Sequence, residues 1–388
     1  MQGLIRWAVV AATLSLGGAV VQAQQQGVGR AEVLVGTIQD LSGPVADRGK
    51  QAGNGMLLRV EELNAQGGLH GRRLRLLVED NSYDPKRSVL AAHKLVNRDK
   101  VFLIAGHMGT AHNLAAMPVQ FDKNVVNFMP ITAAREMYEP LHKLKYAFAA
   151  TYYDQIRTAL PRLAAVSGAR QICSLYQDDE FGLEVQRGTE AALAAMGMAQ
   201  GERTSFKRGA TDFSSQVARL KAAGCDLVVL GTLGRETIGT IAEARKTGFS
   251  PSFLGSVAVY SEQVPRLGGK SMDGLYATMT VLHPYLDEAA QPVRLWANKY
   301  RTRFDEDPTV FSVYGYSIID QFIQAAQKAG PDLTTDSFVK AMDTMDFAPD
   351  MFGSAGGSYS PTKRLGSAAS RLSQIQGGRW RVVSDYVK

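Results

Sequence analysis

Ala31-Glu32-Val33-Leu34-Val35-Gly36-Thr37-Ile38 is a short apolar run, and Gln39-Asp40-Leu41-Ser42-Gly43-Pro44 ends it with turn formers. A run of that length, bounded in that way, reads as a buried strand. Apolar residues at helical spacing follow from Gly49 to Leu63, and then the turn Gly67-Gly68-Leu69-His70-Gly71-Arg72-Arg73. Leu74-Arg75-Leu76-Leu77-Val78-Glu79-Asp80 is a second strand, Pro85 to Arg98 a second helix, and Val101-Phe102-Leu103-Ile104-Ala105-Gly106 a third strand. Strands alternating with helices of this size predict a parallel sheet wound on both faces.

The alternation restarts beyond residue 150. Helices over Ile156 to Ser167, Gly182 to Met196, Ser214 to Ala223 and Glu236 to Thr247 are interleaved with strands ending at Tyr176, Phe206, Leu230 and Gly255. That is a second doubly wound lobe, as the length of 388 residues leads one to expect. From Pro284 onward the chain is mainly helical (Val293 to Phe304, Val313 to Lys328, Thr335 to Met345), with too few strands for a third sheet. These helices are therefore assigned to the first lobe. Arg371 to Val383 alternates at period two around Gly377-Gly378 and reads as a β-hairpin.

Working outward to the N-terminus, Arg6 is followed by an uncharged apolar stretch, Trp7 to Val21, and Val21-Gln22-Ala23 is a small-x-small cleavage site. Residues 1–23 are expected to be a signal peptide, cleaved after Ala23, which directs the chain to the periplasm. No cysteine lies near that point to carry a lipid anchor. No later stretch reaches the length of a membrane span. The formal net charge of +6 is mild and its positives are scattered, which argues against nucleic acid. Cys173 and Cys225 both lie in apolar strand-like runs; an oxidising compartment would permit a bridge between them, and the default expectation is two free buried thiols.

Signatures of catalysis, metals or cofactors are missing. Gly269-Lys270-Ser271 lacks the first glycine of a phosphate loop, since Val264 occupies that place. His107 and His112 bracket a loop without further ligands, so they are expected to be polar residues at a cleft mouth, with no metal.

Three motifs carry a family resemblance: Gly36 through Gly49, Asn64-Ala65-Gln66-Gly67-Gly68-Leu69-His70-Gly71-Arg72-Arg73-Leu74, and Glu79-Asp80-Asn81-Ser82-Tyr83-Asp84-Pro85. With Asp212-Phe213-Ser214-Ser215-Gln216-Val217-Ala218-Arg219-Leu220-Lys221, in the same order, they resemble the periplasmic leucine/isoleucine/valine-binding proteins of ABC importers. The resemblance implies a type I periplasmic binding protein, with two doubly wound α/β lobes joined by a three-segment hinge and a ligand in the cleft. The partners it implies are an ABC permease and its ATPase subunits. Residues 27–150 with about 280–365 would form lobe 1, and 151–279 with about 366–388 lobe 2. The chain is expected to be a monomer.

Carried over residue by residue, the resemblance places the carboxylate anchor at Thr110 and the adjoining N–H of Ala111. It sets Ile131, Thr132 and Ala133 in the next loop, with the family's threonine falling on Ala133 and Thr132 one place earlier. Phe181 matches a ligand-covering tyrosine, Leu233 replaces an aromatic, and Val257 stands where the family's glutamate would meet an ammonium. Arg48 replaces an aromatic of the first loop, and Tyr152 and Tyr153 follow the first crossing, where Asp154 is an alternative acid. The family's disulfide would need cysteines at Tyr83 and Gly109. The expectation is a carrier, not an enzyme, for a small aromatic or aliphatic carboxylate without an α-ammonium. Branched-chain or other amino acids are the alternative, and a periplasmic sensor module is a further one.

Overall fold

The computed structural model describes residues 25–387, so the expected signal peptide lies outside the described residues. Five parallel strands build the first sheet: β1 (Glu32–Gln39), β2 (Arg73–Asp80), β3 (Leu103–Ala105), β4 (Val126–Phe128) and β5 (Lys145–Tyr146). Their spatial order is β2-β1-β3-β4-β5, and Val35 of β1 registers with both Leu76 and Leu103. Between them run α1 (Ala46–Ala65), α2 (Pro85–His93) and α3 (Thr110–Asp122). The first loop is fixed by Asp40, whose carboxylate accepts from the N–H groups of Ser42, Gly43 and Val45.

The second sheet uses β6 (Ile172–Gln177), β7 (Arg203–Phe206), β8 (Leu227–Gly231), β9 (Ser252–Gly255) and β10 (Tyr276–Met279), with α4 (Tyr152–Ser167), α5 (Glu180–Met196), α6 (Ser214–Ala222), α7 (Gly234–Lys246) and α8 (Gln263–Gly268). Helices α9 (Gln291–Phe304), α10 (Val310–Ala329) and α11 (Thr335–Met342) come next, then the short pair β11 (Asp346–Phe347) and β12 (Gly357–Ser358). The C-terminal hairpin, β13 (Arg371–Gln376) and β14 (Arg379–Val382), extends the second sheet antiparallel to β10. Its order is β14-β13-β10-β9-β8-β6-β7.

Helices α9 and α10 return to the first sheet for a steric reason. Gly55 on α1 and Gly315 on α10 face each other so closely that a Cβ at either would sit 2.0 Å from the other helix's backbone oxygen. The contact is sealed by Arg59 with Asp320 (2.7 Å) and Lys299 with Glu62 (2.7 Å). The chain thus passes between the two sheets three times: after β5, after β10, and between β12 and β13. The first and third passages lie side by side, with Ala147 N–H donating to Arg364 O and Gly366 N–H to Ala147 O, both at 2.8 Å.

One expectation is overturned here. Cys173 and Cys225 form a disulfide with Cα atoms 5.9 Å apart, and no described cysteine is free. Pairing of β6 with β8 sets Cys173 opposite Val228, which brings the turn holding Cys225 within bridging reach.

Candidate functional site

Ligands of doubly wound sheets lie beyond the carboxyl ends of the strands. Those ends from both sheets converge on a narrow cavity of about 70 Å³ between the lobes. The first lobe contributes Val45 and Arg48 from around the start of α1, Tyr83 after β2, Met108 to Thr110 after β3, and Ile131 to Ala133 after β4. Phe181, Leu233, Val257 and Ala258 face them from the second lobe, with Tyr152 from the first turn of α4. Phe148, Ala149 and Thr280 come from the connecting segments, and Phe311 and Tyr314 from α10.

The hydroxyls in this apolar chamber are linked. Thr110 Oγ1 and Thr132 Oγ1 are 2.7 Å apart, and the Thr132 hydroxyl also bonds the Tyr152 phenol. Thr110 is the first residue of α3, whose N-cap is Gly109, so it does not cap the helix itself. The first N–H groups of an α-helix have no i−4 acceptor and carry partial positive charge, which favours an anion there. Tyr152 meets Phe181 edge to face at 4.9 Å between centroids, and burial pushes its phenol above the ordinary range.

Arg48 is 4% exposed rather than solvated, because α1 turns its first helical turn into the cleft. Its Nη1 donates to Ala258 O at 3.0 Å across the lobes, and its guanidinium lies 5.0 Å from the Phe311 ring centre. Nε and Nη2 are buried without a partner. Desolvation lowers its pKa, with Asp47 and Glu236 pulling the other way, and a guanidinium stays charged regardless. Two unsatisfied cationic donors in a buried wall are costly unless an acceptor arrives.

Of the expected residues, Arg48, Thr110, Ile131, Thr132, Ala133, Tyr152, Phe181, Leu233 and Val257 line the cavity. Ala111 and Tyr153 do not. Ala111 follows Thr110 into α3, while Tyr153 points away and stacks beneath Arg135 at 4.2 Å. Asp154 is also turned aside, holding Thr151 in the N-cap and pairing with Arg157 at 3.2 Å. Tyr152, Tyr153 and Asp154 share a helical turn, so only one of the three faces inward. His107 and His112 are buried, not residues of a cleft mouth, and His112 packs on the Tyr83 ring at 4.2 Å. Among the described residues no group of three or more His, Cys, Asp or Glu is placed to hold a metal.

Sequence reasoning missed Tyr83, Met108, Phe148 and Thr280, although all four follow strand ends, where ligands of doubly wound sheets lie. The lobes are drawn together in this conformation. Arg135 forms an ion pair with the buried Glu184, Arg235 donates to Pro44 O at 2.8 Å, and Tyr152 N–H donates to Ala133 O at 2.7 Å. Burial raises the Glu184 carboxyl above its usual range, against the pull of Arg135.

Two doubly wound lobes, three passages between them and an interlobe chamber define a type I periplasmic binding protein. The chain belongs to the periplasmic binding protein family, whose sequence profile matches residues 32–379. It is 27% identical over 247 residues to the Leu/Ile/Val/Thr-binding protein of Salmonella typhimurium, covering 64% of this chain and 67% of that one. It is 24% identical over 337 residues to the leucine-specific-binding protein of the same organism, covering 85% and 89%. In fold it is similar to a branched chain amino acid ABC transporter protein from Thermus thermophilus with bound valine, at TM-score 0.83 and 17% identity over 93% and 97% of the chains. It is equally similar to a fatty acid ABC transporter substrate-binding protein from Thermomonospora curvata, at TM-score 0.84 and 20% identity over 94% of each. Among the described residues no helix is long and apolar enough to cross a membrane.

Proposed function

We propose that this chain is the solute-binding component of an ABC importer, working in the periplasm. It captures a small apolar carboxylate between its lobes and hands it unchanged to a permease. The solute is an aliphatic amino acid of the kind for which its curated relatives are named, leucine, isoleucine or valine. The observation that carries the carboxylate is the conjunction of Thr110, at the start of α3 and hydrogen-bonded to Thr132, with the two unpartnered donors of Arg48, in a chamber otherwise mostly apolar. A carboxylate satisfies both sets of donors at once.

A specific observation favours a second reading, an ammonium-free carboxylate. No Asp or Glu among the described residues lines the cavity, and Val257 occupies the place where the resemblance sets an ammonium partner. An ammonium buried without an acid costs several kcal/mol, against about 8 kcal/mol for all of micromolar binding. Hydroxyls of Thr132 and Thr280 are the acceptors that would have to serve it on the first reading.

Leucine and 4-methylpentanoate differ only in the ammonium and separate the two. At a hundredfold excess over Kd a specific ligand adds about 2.7 kcal/mol, which a thermal melt resolves. Stabilisation by leucine or valine with 4-methylpentanoate silent supports the amino acid, and the reverse supports the simple acid. If a panel of aliphatic and aromatic acids and amino acids leaves the melting temperature unmoved, the carboxylate reading falls.

A further inference from the structure

A second and roomier cavity, of about 520 Å³, lies beside the first, with Arg48 and Phe311 as the shared wall. Its far side is made by the loop leading into α8, by the segment that follows the second passage between the lobes, and by the loop before α10. Acidic residues are frequent there, but most are already served. Asp287 is forked by Arg379, at 2.8 and 2.5 Å, and Glu306 accepts from Asn54 at 2.9 Å and Tyr300 at 2.6 Å.

Asp47 and Glu262 are not served, and Glu262 stands beside two further unpartnered groups. The Glu262 carboxylate accepts no hydrogen bond, and His283 Nε2 lies 3.6 Å from it, too far for one. Burial raises its carboxyl above the usual range, with Arg266 and Arg379 acting at longer reach in the other direction. His283 is 6% exposed, lines the same cavity and has neither ring nitrogen partnered; burial takes its pKa down to about 3, so the ring is neutral. Ser261 is 3% exposed, lines the cavity as well, and its Oγ too is without a partner.

A carboxylate, a neutral imidazole and a hydroxyl each offer an unused acceptor on one wall, and a primary ammonium brings three N–H donors on one charge. We propose that this cavity is a second subsite of the interlobe cleft, taking the primary ammonium of a small organic solute at Glu262, His283 and Ser261. No described group of three or more His, Cys, Asp or Glu is arranged to hold a metal, which favours an organic cation over an inorganic one. That ammonium has two sources: a separate amine, or the far end of a solute whose carboxylate lies beyond Arg48. The second source rests on the carboxylate reading of the first cavity; the first does not.

Two probes, 1,4-diaminobutane and 6-aminohexanoate, are titrated calorimetrically into the protein in 150 mM KCl, about physiological ionic strength, which screens diffuse attraction to surface acids. Glu262→Gln, a half-exposed and nearly isosteric change, should weaken the bound probe at least ~10-fold, the loss expected on removing one charged hydrogen-bond partner. His283→Gln is the second variant and should weaken it several-fold. Diaminobutane binding that Thr110→Val leaves intact identifies a separate amine. Aminohexanoate binding weakened by both Glu262→Gln and Thr110→Val, with diaminobutane silent, identifies a spanning solute. The proposal is overturned if neither probe binds the wild type, or if every probe that binds the wild type binds Glu262→Gln alike. Failure of the leucine and 4-methylpentanoate panel bears on the first cavity alone and leaves the diaminobutane result to stand by itself.

Discussion

Replacing Arg48 by Ala takes from the chamber a guanidinium that has two donors in search of an acceptor. Affinity for whichever of leucine or 4-methylpentanoate binds is expected to fall by about 10- to 100-fold, the range for a charged hydrogen bond of ~1.5–3 kcal/mol. Calorimetric titration checks this, and an unchanged Kd would leave Arg48 a packing role against Phe311. Arg48→Lys should restore only a fraction of the affinity, because an ammonium lacks the planar fork. At this scale the family resemblance marks Thr110, Thr132 and Val257, all in or beside loops that follow strands. Phe311 and Tyr314 gave no such signal: they sit on a helix whose inward face is set by packing against α1, a contact between distant stretches of chain. Which of Tyr152 and Tyr153 turned inward depended on where α4 begins, and its N-cap at Thr151 settles that in favour of Tyr152.

Among elements, the alternation of β and α was readable from periodicity, and the late helices could be assigned to the first lobe because no strands accompanied them. The disulfide was not readable, since the register between β6 and β8 is a property of the assembled sheet. Its loop spans 52 residues, for which the chain-entropy relation gives about 4 kcal/mol of stabilisation. A Cys173→Ala, Cys225→Ala double variant is therefore expected to lose roughly 2–4 kcal/mol in urea unfolding. The α1–α10 contact is similarly exacting. A methyl at Gly55 would gain about 1 kcal/mol in helix propensity. The 2.0 Å approach to Ser312 O means that it must also push α1 and α10 away from each other. Gly55→Ala should be destabilising by a net ~1–3 kcal/mol, read as a lowered melting temperature.

The molecule as a whole has a definite response to acid. His107, His112 and His283 are all buried, and desolvation depresses each below the ordinary histidine value, His283 to about 3. As pH falls through 6.5 the unfolded chain binds protons that the native one refuses, so stability falls, by at most ~1.4 kcal/mol per histidine per pH unit. Glu184 and Glu262, with carboxyls raised by burial, act with the opposite sign, their contribution growing as pH drops towards their range. Melting temperature is thus expected to decline from pH 7 to 5.5, and His283→Gln to flatten that decline. A flat profile in the wild type would show that the three rings are hydrated.

The three passages between the sheets carry a consequence for how the chain is made. β13 pairs with β10, and Trp380 of the last hairpin packs on Tyr260 at 5.1 Å and donates to Ser261 O, so the second sheet is completed by a hairpin that lies beyond the first lobe's late helices in the chain. The first sheet waits likewise for α10 and α11 to cover it. Each lobe therefore needs a segment that lies beyond part of the other in the chain, so neither is a contiguous folding unit. A chain stopped at residue 370 keeps α10 and α11 but loses β13 and β14, so its second lobe should be protease-sensitive while its first is protected, whereas resistance of the second lobe would show that it closes without the hairpin.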